Sequence, residues 1–239
     1  RQFVLLARRL ASRGIPVMRF DVRGMGDADG EWRDFTAIDD DIRAAMDAFQ
    51  VQQPGLREII LWGLCDAASA ALFYGWRDER VAGLVLLNPW VRTEAGEARA
   101  YLRHYYVRRL ASGAFWRKLL GGGLSWRASL RGLVGRLAQA RAQGGEVTPK
   151  ADADSGRSLP DRMADGLERF DGPVLCVLSG DDLTAAEFRD TVDASSRWRG
   201  LMESERVQRV ELPSADHTFS RCAWRDEVTR RTAEWIEAL

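Results

Sequence analysis

The sequence predicts an α/β protein built on a mostly parallel sheet flanked by helices. Short apolar runs, at 59–62, 81–87, 174–178 and 207–212, alternate with segments of helical period. Those at 59–62 and 81–87 lack a polar face, as strands covered on both sides do. The chain has 239 residues, 46% of them hydrophobic and 29% charged, enough for one large domain over residues 1–239.

Phe3 to Ser12 reads as a helix, with Val4, Leu5, Leu6 and Leu10 apolar and Arg13-Gly14 as its stop. Ile15 to Phe20 reads as a strand leading into the glycine-rich loop Asp21 to Gly26. Thr36 is an expected N-cap with Asp39 at N3, opening a helix whose apolar face is Ile38, Ile42, Ala45, Met46 and Phe49. Gln53-Pro54-Gly55 closes it. Strand Ile59 to Trp62, helix Ala67 to Tyr74 and strand Val81 to Leu87 follow.

The rhythm breaks after Pro89. Residues 91–158 predict a helical insertion rich in Tyr, Trp, Leu and Arg, ending in the polar run Gln143 to Arg157. The α/β alternation then resumes: helix 160–170, strand 174–178, helix 185–202, strand 207–212 and helix 223–239. An insertion between two strands is expected over their C-terminal ends, as a lid where α/β sheets bind ligands.

Formal net charge is zero, but it is unevenly spread. Between Val91 and Gly145 stand eleven Arg or Lys against two Glu, a local charge of +9. Three cysteines, at 65, 176 and 222, make neither a disulfide framework nor a metal-ligand spacing, and two histidines exclude a histidine-rich metal centre. No cofactor is expected. No stretch approaches the ~18 apolar residues of a membrane span, and a cytoplasmic enzyme is expected. Cys176 reads as core, and Cys222, near the start of the last helix, as structural.

The chemistry concentrates at strand ends. Gly63-Leu64-Cys65-Asp66-Ala67-Ala68 follows an apolar run and opens a helix, the strand–turn–helix setting of a nucleophile elbow. A cysteine at a helix N-terminus gains thiolate character from the helix dipole and the free N–H groups. His217 follows the last strand, and Asp181 and Asp182 follow the strand before it. Cys65, one of the two aspartates and His217 therefore fall on one rim of the sheet, in the order nucleophile, acid, base.

The chain resembles the α/β-hydrolases. More narrowly, it resembles the exosortase A system-associated hydrolases of the type 1 branch, found in bacteria that make exopolysaccharide. The resemblance rests on residues 1–7, 19–27, the elbow 62–70, Leu87-Asn88-Pro89-Trp90, the run 178–188 with Asp182-Leu183-Thr184-Ala185, and Asp216-His217-Thr218-Phe219. It implies Cys65 as nucleophile, His217 as general base and Asp182 as the acid, with Asp181 the alternative. Many relatives carry the acid three residues after the strand-end glycine, where this chain has Leu183, and Ala67 stands where the usual elbow has Gly. The Asp66 backbone N–H is the expected oxyanion donor. The α/β-hydrolase fold also implies two or three strands before the first helix, one of whose loops supplies the second donor; these are missing ahead of Arg1.

The expected function is a cysteine-nucleophile acyl hydrolase, an esterase or thioesterase, with acyl transfer by the same residues as an alternative. A non-catalytic binding protein of the same fold is the alternative from another class. The +9 insertion implies a small-molecule or carrier-bound anionic acyl donor, contacted by Arg103, His104, Arg108 and Arg109. Its Arg–Tyr–Trp mixture also fits nucleic-acid contact, but no nucleic-acid module accompanies it, and no nucleic-acid partner is expected.

Overall fold

A computed structural model describes Gln2–Val91 and Gly156–Leu239. Among these residues, four strands form one fully parallel sheet in the order β1-β2-β3-β4: β1 Ile59–Leu64, β2 Val81–Leu87, β3 Val174–Ser179 and β4 Val207–Leu212. Register pairs Leu64 with Leu87, Leu87 with Val177, and Ser179 with Leu212, so the C-terminal strand ends form one rim. The predicted helical insertion, with Arg103, His104, Arg108 and Arg109, lies outside the described residues.

Side chains alternate across the sheet, as the two-residue strand period requires. Leu84, Leu86, Cys176 and Leu178 face one core with residues of α2 (Asp39–Gln52), α3 (Asp66–Tyr74), α4 (Leu159–Arg169), α5 (Leu183–Ala194) and α6 (Ser196–Met202). Val85, Leu87, Leu175 and Val177 face the other, with Val228 and Trp235 of α7 (Cys222–Glu237). Helix α1 (Gln2–Ala11) lies on that side, where Phe3 meets Trp62 edge-on at 5.7 Å between ring centroids. Cys176 is fully buried in β3, and burial pushes its thiol up to about 12.

Several expectations need correction. Ile15 to Phe20 forms no strand: among the described residues nothing pairs with it, β1 is the sheet edge, and Val17 and Phe20 are exposed. Apolar patterning reports a preference for extended backbone, but a strand also needs a neighbour to accept its ladder bonds. Thr36 is not the N-cap of α2. It sits in a 3₁₀ turn, Phe35–Ala37, capped by Asp34, whose Oδ1 accepts the Thr36 N–H at 2.9 Å. The helix expected over 185–202 breaks at Ser195, whose hydroxyl accepts the Trp198 N–H at 3.3 Å and caps α6. The strand expected over 207–212 is β4, an edge strand on which Gln208, Arg209 and Glu211 are exposed. Cys222, read as structural, is exposed at the start of α7, and its sulfur accepts from the Arg225 guanidinium at 2.9 Å.

The acidic stretch before β1 is matched by arginines. Arg23 binds Asp41, Arg77 binds Asp39, and Arg80 bridges Asp47 and Asp78. Arg80 holds the Asp78 carboxyl far below the usual carboxylate range.

Candidate active site

Cys65 occupies the turn between β1 and α3 with φ 63 and ψ −120, a left-handed conformation unusual for a side chain with a Cβ. The turn closes because residue 63 is glycine. A Cβ there would lie 2.4 Å from the carbonyl carbon of Ala67 and 2.5 Å from the Ala68 nitrogen. Ala67 itself is exposed, so its methyl fits where a glycine is usual. Both peptide groups of Cys65 are anchored to the end of β2: its N–H donates to Leu87 O at 2.8 Å, and its carbonyl accepts the Trp90 N–H at 3.3 Å. The half-buried side chain projects at the strand rim. Asp66 opens α3, and its N–H, in the first turn, has no intrahelical acceptor.

Asp182 and Asp181 part company at the end of β3. Asp182 is buried and is the N-cap of α5, its Oδ2 accepting the Ala185 N–H at 2.9 Å. The same oxygen lies 3.0 Å from His217 Nδ1. Asp181 is exposed, and its backbone N–H donates to Ala215 O at 2.9 Å. Leu183 begins α5 and carries no acidic group.

His217 follows β4 in a loop tied by its neighbours. Asp216 accepts from the Ser220 N–H at 2.8 Å and from the Ser220 hydroxyl. Against the cost of burial, those bonds hold the Asp216 carboxyl below its ordinary value. The His217 imidazole is pushed from its ordinary 6.5 up to about 10, first by the hydrogen bond with Asp182 and then by Cys65 on its other side. The structure thus brings Cys65, His217 and Asp182 together and leaves Asp181 outside.

Two residues of the site escaped the sequence reading, Asn88 and Ser179. Both are fully buried and hydrogen-bonded to one another at the ends of β2 and β3. Their signal in the sequence is a polar residue directly ending an apolar run. An open apolar pocket lies between α1, α7 and the sheet, with Leu6, Trp62, Leu64, Leu87 and Phe219 among its walls.

Residues 1–234 match the model of one family, described as the alpha/beta hydrolase family. The chain belongs to the alpha/beta hydrolase family. This alpha/beta hydrolase is similar in fold to the monoacylglycerol lipase of Paleococcus ferrophilus, with a TM-score of 0.56 at 17% identity, covering 98% of this chain and 88% of that one. An esterase of Pyrococcus furiosus gives a TM-score of 0.59 at 13% identity, covering 96% and 73%. The esterase domain of a Rhodothermus marinus protein gives 0.55 at 17%, covering 98% and 79%. No curated protein matches the chain. The hydrolase has no helix among its described residues long and apolar enough to cross a membrane.

Proposed function

We propose that this alpha/beta hydrolase is a cysteine-dependent acyl hydrolase acting on an ester or thioester. The observation that carries the reading is the 3.0 Å contact of His217 Nδ1 with the buried Asp182, on a ring whose other side faces Cys65. Asp182 fixes the tautomer that keeps a proton on Nδ1, leaving Nε2 to serve the thiol. As Cys65 Sγ attacks the acyl carbon, its proton already stands on Nε2, because the ring is held protonated up to about pH 10. The tetrahedral oxyanion takes the Asp66 N–H as a donor. Collapse breaks the bond to the leaving oxygen or sulfur, which receives the proton from Nε2. Water then gives a proton to Nε2 and attacks the acyl-thioenzyme, releasing a carboxylic acid and the free thiol.

The substrate side rests on the sequence. The +9 stretch between Val91 and Gly145, with Arg103, His104, Arg108 and Arg109, favours an anionic acyl donor such as a carrier-bound thioester. The elbow 62–70 and the run 182–188 support a link to exosortase and exopolysaccharide systems. The test is a panel of paired anionic and neutral esters and thioesters sharing one acyl group, run on the wild type and Cys65→Ala. Burst release with an acyl mass added at Cys65 is the expected result. Turnover surviving in Cys65→Ala overturns the mechanism, and equal kcat/KM within each pair overturns the anionic donor.

A further inference from the structure

We propose that Asn88 is a positioning residue that sets the separation of Cys65 and His217, gripping the histidine loop from the strand end that also anchors the cysteine elbow. The proposal rests on the reading of those two residues as nucleophile and base. Asn88 is fully buried, so it reaches no substrate. It acts through what it holds.

On one side it holds the base. Asn88 Nδ2 donates to the backbone carbonyl of His217 at 2.9 Å and to Ser179 Oγ at 2.9 Å. Its Oδ1 accepts the Ser179 N–H at 2.8 Å. Ser179 Oγ in turn donates to Asp216 O at 2.8 Å. Consecutive carbonyls of the histidine loop are thus gripped, one directly and one through Ser179. A carbonyl faces the amino group and an N–H faces the amide oxygen, so only one orientation of the Asn88 amide satisfies the site.

On the other side, Leu87 and Trp90, which flank Asn88 in the chain, hold the nucleophile. Leu87 O takes the Cys65 N–H at 2.8 Å, and Trp90 N–H binds Cys65 O at 3.3 Å. Ser69 Oγ donates to Trp90 O at 2.8 Å and locks that segment to α3. Residues 87–90 therefore span the gap between the β1 elbow and the β4 loop. Asn88 has φ 44, a left-handed conformation that asparagine tolerates better than most residues and that swings its amide off the strand line. Aspartate has the same shape but sets an oxygen against the His217 carbonyl. Leucine leaves the Ser179 N–H and the His217 carbonyl without their partner.

Two variants separate positioning from mere stability. Asn88→Gly keeps the left-handed backbone and removes all three side-chain bonds; Asn88→Asp keeps the shape and removes the donors. For each, kcat and KM on an activated thioester, the Tm, and the NMR titration of the His217 ring are compared with the wild type, with His104, the other histidine of the chain, as the internal reference. The expected result is a fall in kcat on the order of 100-fold, as a displacement of about 1 Å produces, with KM within about twofold. The His217 midpoint moves down towards the ordinary imidazole value as the ring leaves Asp182 and Cys65. A folded variant with wild-type kcat and an unmoved His217 midpoint overturns the proposal. Should both variants fail to fold, Ser179→Ala, which cuts only the hydroxyl link, carries the test: a partial fall in kcat with a smaller shift supports it, and no change in either overturns it. Cys65→Ala, assayed in parallel, keeps the two readings apart. Turnover that survives there defeats the nucleophile assignment, whereas turnover lost there but retained in Asn88→Gly defeats the role of Asn88 alone.

Discussion

The Asp182 Oδ2 that lies 3.0 Å from His217 Nδ1 is the same oxygen that caps helix α5 through the Ala185 N–H. One buried atom fixes a helix end and orients the imidazole. The arrangement makes the two neighbouring aspartates separable by experiment.

Asp182→Asn is expected to lower kcat by about 10³–10⁴, because an amide no longer enforces the imidazole tautomer. Asp181→Asn, at an exposed position, is expected to leave kcat unchanged. Steady-state kinetics of the pair decides between them, and equal losses would undo the assignment.

Stability should depend on pH through His217. The folded midpoint of about 10 lies above the ordinary 6.5, so the folded state holds the ring proton more tightly than the unfolded chain does. The stabilisation is complete below about pH 6.5 and is lost as pH rises through about 10. Urea midpoints of the wild type should therefore fall between pH 6.5 and 10 more than those of His217→Gln. The same slope in both would remove His217 from the account.

The three thiols should sort by exposure. Iodoacetamide should label Cys65 and Cys222 in the native state and Cys176 only after unfolding, because Cys176 is fully buried and its thiol is held protonated. Peptide mass mapping after a brief pulse reads the order.

The elbow gives a paired prediction about backbone space. Gly63→Ala pushes a methyl against the Ala67 peptide and should cost about 1–3 kcal/mol, with loss of turnover as Cys65 shifts. Ala67→Gly restores the usual elbow residue at an exposed helix position and should cost less than about 1 kcal/mol with turnover kept. Thermal melts and kcat together test both.

Much of the site was legible because each chemical residue lies shortly after a strand. Cys65 is the first residue after β1, Asp182 the third after β3 and His217 the fifth after β4, and a parallel sheet puts such positions on one rim. The choice between Asp181 and Asp182 was not legible locally, since it depends on which carboxylate faces a histidine 35 positions away. Asn88 and Ser179 stayed hidden for the same reason: their bonds join residues 91 positions apart. Ile15 to Phe20 misled in the opposite direction, carrying the pattern of a strand without a neighbour to complete it. The cap of α2 failed on a finer scale: a 3₁₀ turn capped by Asp34 takes up Thr36, and α2 starts after Ile38 with no side-chain cap.

The strand order β1-β2-β3-β4 repeats the order of the chain. A sheet of that topology can be laid down in the direction of synthesis, each strand docking on one already in place. The thiol at position 65 emerges early and the imidazole at 217 arrives with the last crossover. During translation the nascent polypeptide therefore carries a cysteine with no base beside it. On the proposed mechanism, a chain that stops before Leu212 holds the thiol without its base.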